Sequence, residues 1–91
     1  MCDMAKLRGR TIVPHCWKTG ISISATAHLA FTAAHCAFIE YLPPQLCHER
    51  LRRELAHEEL VLNSDGTIPL PGKPGLGVEV DWDLVRRYKV A

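Results

Sequence analysis

The sequence lacks a strong net charge, a long uninterrupted apolar run and any low-complexity tract. Its formal net charge is +1, so electrostatics point to neither nucleic acid nor an anionic membrane surface as a partner. The longest weakly polar stretch, residues 21–39, is interrupted by Ser22, Thr26, His28 and other polar residues, and falls short of a transmembrane helix. From these absences we expect a globular chain that has neither a membrane nor a nucleic acid as its partner.

An export signal is also lacking. Charged residues occur in the first ten positions, MCDMAKLRGR, where a signal peptide would have its apolar core. We therefore expect a cytoplasmic protein. In that compartment the four cysteines, Cys2, Cys16, Cys36 and Cys47, are expected to be free thiols.

The size and composition are those of one small globular domain spanning residues 1–91. Apolar residues make up 47% of the chain and charged residues 23%, which is ordinary for a folded protein. A chain of 91 residues can bury only a modest core.

The first half of the chain predicts a strand, a helix and a second strand. The β-branched run at 11–13 reads as a buried strand that stops at Pro14, and residues 37–42 read as another that stops before a Pro-Pro pair. Between them, residues 21–36 predict a helix rich in small residues. This order is typical of a βαβ unit with parallel strands, so we expect an α/β fold.

The remaining segments predict short elements. A helix over the first eight residues should end at Gly9, and residues 45–59 should form a polar surface helix or connection whose charged run 49–54 is solvated. A hairpin-type turn is expected at 63–66, followed by a strand at 78–80. Asp81 should cap a last helix from Trp82 to Tyr88.

Two longer stretches, VPHCWKTGISISATAHLA with FIEYLP and DGTIPLPGKPGLGVEVDWDLVRRY, carry a family resemblance. They resemble the C-terminal end of the mandelate racemase branch of the enolase superfamily, most closely its acid-sugar dehydratases. The resemblance covers the whole chain and implies a modified TIM barrel whose seventh strand ends at His15 and whose eighth ends at Glu40. Residues 1–58 would then be the barrel portion with the last two strands. Residues 59–91 would be a small β-containing tail that packs on a capping domain.

The resemblance implies dehydratase or racemase (isomerase) chemistry that starts by removing the proton α to a carboxylate. His15 would be the general base, because imidazole titrates near neutral pH. Glu40 would hydrogen-bond the developing oxyanion if its surroundings kept it protonated. In intact members Mg²⁺ stabilises the enediolate. Trp17 and Lys18, which follow His15, are candidate substrate contacts, although aromatic and cationic residues after a strand more commonly serve packing and solvation.

Measured against the same resemblance, the chain lacks a lysine motif, three carboxylate metal ligands and the aspartate that orients the histidine. All of them would lie before Met1. A hard cation needs converging oxygen ligands, so we expect this chain alone to bind no cofactor and to leave an acid sugar unconverted. Two strands of a barrel also leave both edges unpaired, and this predicts a homo-oligomer.

Two other functions stay open from the residues alone. One is a self-associating structural or interaction module without catalysis. The other is a metal-binding protein that uses three adjacent pairs, His15–Cys16, His35–Cys36 and Cys47–His48, because imidazole and thiolate are preferred zinc ligands. Their spacing matches no zinc-finger pattern. A helix between the first two pairs would also hold them about 25–30 Å apart at 1.5 Å per residue.

Overall fold

The computed structural model describes residues 1–57 and 60–90. The elements in chain order are α1 (Cys2–Leu7), α2 (Gly20–Thr32), a 3₁₀ turn (Pro44–Leu46), α3 (Arg50–Glu54), β1 (Ala56–His57), β2 (Glu79–Val80) and α4 (Trp82–Arg87). Within those ranges, none of the helices has the length and apolar character needed to cross a lipid bilayer. The last two positions of the segment predicted at 45–59 lie outside the described residues.

Helix α2 provides two of the three residues of the buried core cluster, Ile23 and Ala27. Thr19 caps its N-terminus by accepting a hydrogen bond from the Ser22 backbone N–H, at 3.4 Å. Its buried residues, Gly20, Ile23, Ser24 and Ala27, follow the spacing of one helical face. The helix ends at Thr32 because Ala33 is extended, with φ −111° and ψ 95°. The prediction of a helix continuing to residue 36 was therefore wrong.

The two predicted parallel strands come together but form only one β-bridge, between His15 and Glu40. The Glu40 backbone N–H donates to the Pro14 carbonyl at 2.8 Å. The expectation that 11–13 is a buried strand was wrong, since Val13 is 55% exposed, and Phe38 on the other segment is 72% exposed. Parallel strands are stable when both faces are covered, and here both side chains stay more than half exposed.

The second half of the chain forms a two-stranded antiparallel sheet next to α4. Ala56 pairs with Val80 and His57 with Glu79. The Asp81 carboxylate then caps α4 by accepting from the Leu84 N–H at 2.8 Å, as the sequence predicts. The turn at 63–66 is also present, closed by Asn63 N–H to the Thr67 carbonyl at 2.8 Å.

Of the two alternatives predicted for residues 45–59, a polar surface helix or a connection, the described part is mostly a connection. Only the five residues of α3 are helical within that segment's described part, apart from the 3₁₀ turn. Most of the run 49–54 is exposed, as predicted for a solvated face, but the prediction was wrong for Arg52, which is 2% exposed. Its guanidinium donates to the Leu42 carbonyl at 2.6 Å, and its aliphatic part is covered in the same position.

The core joins the two halves of the chain. Ile23 and Ala27 of α2 are buried with Leu60, and Tyr41 and Ile68 pack against them. Two hydroxyl groups add links: Ser24 donates to the Leu76 carbonyl, and Tyr41 donates to the Leu60 carbonyl at 2.7 Å. Residues 60–76 are therefore held on α2 and on the segment that follows it.

The molecule exposes more surface than a compact chain of its size. Its accessible surface is 6776 Å², about 1,500 Å² more than the roughly 5,300 Å² typical of its mass. The Cα radius of gyration is 14.7 Å, against about 12 Å for a compact domain of this length. Several large apolar side chains are more than half exposed, among them Met1, Leu7, Phe31, Phe38, Leu46, Leu70, Trp82 and Val90.

Candidate active site

His15 and Glu40 form the centre of the candidate site. They are directly bridged in parallel, so the two segments run in the same direction and present these residues side by side. The His15 Nδ1 atom lies 2.9 Å from the Glu40 Oε2 atom. The structure thus confirms the predicted neighbourhood of the two residues and the parallel direction of their segments. A catalytic role for either residue stays a prediction.

The residues after His15 lead from the bridge into helix α2. The Trp17 ring lies 5.0 Å from the His15 imidazole, centroid to centroid, at an interplanar angle of 42°, within the range of aromatic pairs. Lys18 is exposed in the bend just before the Thr19 cap. Trp17 therefore contacts the candidate base, and Lys18 lies beside it in sequence. Their predicted contact with a substrate stays a prediction.

The pair is accessible to solvent, as a site for a small molecule requires. The side chains of His15 and Glu40 are 58% and 49% exposed. Even a charged pair this exposed contributes only about 0.2–1 kcal/mol to stability, so the contact is not a major source of stability. With Nδ1 directed at the carboxylate, the Nε2 atom of His15 is the nitrogen left to exchange a proton with a bound molecule.

The described residues do not fit a Mg²⁺ site. Across residues 1–57 and 60–90, no group of three or more histidine, cysteine, aspartate and glutamate residues converges as a metal site would require. Mg²⁺ needs several oxygen ligands at once. Glu40, the carboxylate beside His15, is engaged by the imidazole. We therefore derive no chemical step through a metal ion held by this chain.

The three His/Cys pairs likewise form no metal-binding group within the described part of the chain. The predicted separation of the first two pairs by a continuous helix was wrong, because α2 ends at Thr32 and the Ile12 N–H donates to the His35 carbonyl at 3.2 Å. His28 is hydrogen-bonded within α2, its Nδ1 lying 2.9 Å from the Ser24 carbonyl. None of the four cysteines is in a disulfide.

A second histidine–carboxylate pair lies at the small antiparallel sheet. The His57 Nε2 atom is 4.0 Å from the Asp81 Oδ2 atom. The pKa of the Asp81 carboxyl is below its usual range, first because the Leu84 N–H donates to it and, to a smaller extent, because of the nearby His57. Asp81 is already engaged as the cap of α4, which gives it a structural role.

Sequence reasoning missed an apolar groove along the 36–41 segment. It has a volume of about 470 Å³ and is lined mainly by residues of α2, of this segment and of the turn at 63–66 with its flanks, including Ala27, Phe31, Phe38, Leu62 and Ile68. Phe31 and Phe38 are 56% and 72% exposed. The available signal for the groove was the pair of phenylalanines on either side of the end of a helix. The sequence did not indicate that these side chains and their neighbours stay exposed to solvent.

Comparison with known proteins agrees with the sequence resemblance. The family described as enolase C-terminal domain-like matches residues 1–84. The chain is 31% identical over 97 aligned residues to a D-galactarolactone cycloisomerase of Agrobacterium fabrum. The alignment covers 99% of this chain and 25% of that protein, so the chain spans about a quarter of the length of the curated relative it matches. No solved structure gives a significant match.

Proposed function

The chain belongs to the enolase C-terminal domain-like family, and on that premise we propose that it forms the end of a TIM-type barrel in an enzyme acting on an acid sugar. The observation that carries this proposal is the parallel bridge between His15 and Glu40. Neighbouring parallel strands whose ends carry a histidine and a carboxylate are the arrangement that barrel enzymes use for their active sites.

The proposed division of the chain follows the same idea. Residues 1–58 supply the last two barrel strands with α2 between them, and residues 59–91 form the tail. In support, Ser24 on α2 donates to the Leu76 carbonyl, so the later segment folds back on the barrel portion. The two proposed strands would gain full ladders only when further strands pair with their free edges.

The proposed chemistry is removal of the proton α to a carboxylate, with His15 as the base. A neutral imidazole has the proton affinity for this step near pH 7. Its Nε2 atom is available because Nδ1 faces Glu40. Trp17 and Lys18 would contact the substrate from the same strand end. The name of the relative makes an acid sugar or its lactone the substrate class to test, with dehydration, racemisation and cycloisomerisation as the candidate outcomes.

We propose that the chain has no activity by itself. The structure brings His15 and Glu40 together, while the described residues offer no cluster that could hold a metal ion. An enediolate carries two negative charges on neighbouring oxygens and needs strong electrostatic stabilisation. The residues that supply it would come from the remaining three quarters of a protein like the relative.

A chimera tests this proposal directly. In it, the present chain replaces the aligned quarter of the Agrobacterium fabrum cycloisomerase, and conversion of D-galactarolactone is measured. We expect the chimera to be active because its two parts would complete one barrel, and we expect the isolated 91-residue chain to be inactive. A folded, soluble chimera without activity would contradict the proposed enzyme function. Turnover by the isolated chain would contradict its inactivity.

The uncovered surface favours a second proposal, self-association. The surface excess of about 1,500 Å² over a compact chain exceeds the roughly 800 Å² that each partner buries in a standard interface. Three of the exposed large apolar side chains, Phe31, Phe38 and Leu62, line the groove together. We propose that, when the chain is alone, a second copy covers this groove and forms a homodimer.

Light scattering after gel filtration tests the dimer. At tens of micromolar we expect a mass near twice the 10.2 kDa of the chain. The double substitution Phe31→Ser with Phe38→Ser should give a monomer, because it removes the two exposed rings that a partner would bury. Val90→Ser is the matched control, since Val90 is 86% exposed and does not line the groove. A wild-type monomer that unfolds cooperatively would exclude self-association.

A further inference from the structure

The turn at 63–66 contains an aspartate followed by a glycine, and the main chain between two such residues can rearrange without an enzyme. Asp65 and Gly66 are both exposed, and nothing lies within 4 Å of the position that a Cβ atom on Gly66 would occupy. The other aspartates precede methionine, tryptophan or leucine, whose side chains hinder the next main-chain nitrogen. The Asp65–Gly66 pair is therefore the least hindered of its kind in the sequence.

The rearrangement is a condensation followed by a hydrolysis. The Gly66 nitrogen forms a bond to the Cγ atom of Asp65, and its proton leaves with the carboxyl hydroxyl as water. A second water then opens the cyclic imide at either carbonyl. Opening at the original main-chain carbonyl gives isoaspartate, in which the chain runs through the former side chain and is longer by one carbon. Ring closure needs a protonated carboxyl group, because the hydroxyl is the leaving group.

The folded turn engages both reacting groups. The Gly66 N–H donates to the Asn63 carbonyl at 2.9 Å. The Asp65 Oδ1 atom accepts from the hydroxyl of Thr67 at 2.7 Å and from its backbone N–H at 2.9 Å. These two bonds, the hydroxyl bond first, lower the pKa of the Asp65 carboxyl. The carboxyl group is thus held in the ionised form, which cannot lose its hydroxyl.

The hydroxyl of Thr67 is itself held in place. The side-chain amide of Asn63 donates to its Oγ1 atom at 2.9 Å, and the Asn63 backbone N–H donates to the Thr67 carbonyl at 2.8 Å. This pairing closes the turn as a short hairpin, with Gly66 at a φ of 81°. The position of the donor beside Asp65 is therefore a property of the folded turn.

We infer that Asp65–Gly66 is a site of spontaneous isoaspartate formation, and that Thr67 slows the reaction by holding the Asp65 carboxylate ionised. The inference goes beyond the proposed function and does not rest on it. The modification has a structural consequence, because Ile68 packs against the core cluster of Ile23, Ala27 and Leu60. An additional main-chain carbon at position 65 displaces the residues that follow it and weakens this packing.

Incubation of the folded chain in H₂¹⁸O tests the inference. At about pH 6 an ordinary aspartate is mostly ionised, and opening of the imide places one ¹⁸O atom in residue 65. The peptide that contains Asp65 is isolated by proteolysis in ordinary water, and its fragmentation separates this label from deamidation of Asn63. Thr67→Val removes the hydroxyl and keeps the backbone N–H. We expect it to raise the labelling rate about two- to tenfold, the factor that corresponds to one net hydrogen bond.

The matched control is Thr67→Ser, which keeps the hydroxyl and should be labelled at the wild-type rate. The wild type in urea should be labelled faster than the folded wild type, because the turn that engages both groups is then lost. This comparison needs no variant and serves if Thr67→Val does not fold by circular dichroism. Equal rates in the wild type and folded Thr67→Val, equal rates with and without urea, or no label in urea would overturn the inference.

Discussion

Replacing Ile23 by alanine is expected to destabilise the isolated chain by about 2–5 kcal/mol. Ile23 is 1% exposed and lies in the core cluster with Ala27 and Leu60. Few other apolar side chains are fully buried, so little surrounding structure can close the cavity. A chain of this length has a free energy of unfolding of roughly 5–14 kcal/mol at ordinary stability per residue. The substitution therefore removes a large share of the free energy of unfolding, and urea denaturation followed by circular dichroism measures this loss.

Leu29→Ala is the matched control for Ile23→Ala. Both residues are in α2, but Leu29 is 46% exposed. We expect its substitution to change the free energy of unfolding by about 0.5 kcal/mol or less. If the two variants lose similar stability, or if the wild type shows no cooperative transition, the core assigned to α2 is incorrect.

In the active chimera, His15→Asn is expected to lower kcat by about 10²–10⁴-fold. Asparagine has similar size and keeps a hydrogen-bonding group near Glu40, but it cannot take up a proton at neutral pH. KM should change little, because the loss affects the proton transfer more than the binding of the substrate. Steady-state kinetics with D-galactarolactone separate these two quantities.

His48→Gln in the same chimera is the control for a histidine outside the site. His48 is exposed in the connection between the 3₁₀ turn and α3, and its substitution should leave kcat within about twofold. A His15→Asn chimera with wild-type kcat would show that another group takes the proton. That result would contradict the assignment of His15 as the base, but it would not contradict the assignment of the chain to a barrel.

Local signals in the sequence predicted the elements that depend on neighbouring residues. Asp81 caps α4 by a bond to the residue three positions away, as the sequence predicts. Thr19 caps α2 with the same spacing, a bond that the sequence analysis did not predict. The proximity of His15 and Glu40 was predictable for a different reason, because the family resemblance supplies the pairing of two segments that are far apart in sequence.

Features that depend on distant residues were not predictable in the same way. The strand pattern at 11–13 is apolar and β-branched, yet Val13 is exposed because strand pairing and burial require neighbours that the local pattern does not specify. Arg52 reads as a surface residue until its contact with the Leu42 carbonyl is known. The groove beside Phe38 arises from three separate segments, and no local pattern encodes such a surface.

The links between the halves of the molecule have a consequence for how this sequence can change over generations. Three side chains donate to main-chain carbonyls: Ser24 to Leu76, Tyr41 to Leu60, and Arg52 to Leu42. Every amino acid offers the same acceptor, so the hydrogen bond to position 76 sets no demand on the residue type there. Selection for these hydrogen bonds therefore acts on the three donor side chains. We expect divergent homologues to vary more at position 76, whose exposed residue only accepts through its backbone, than at positions 24, 41 and 52.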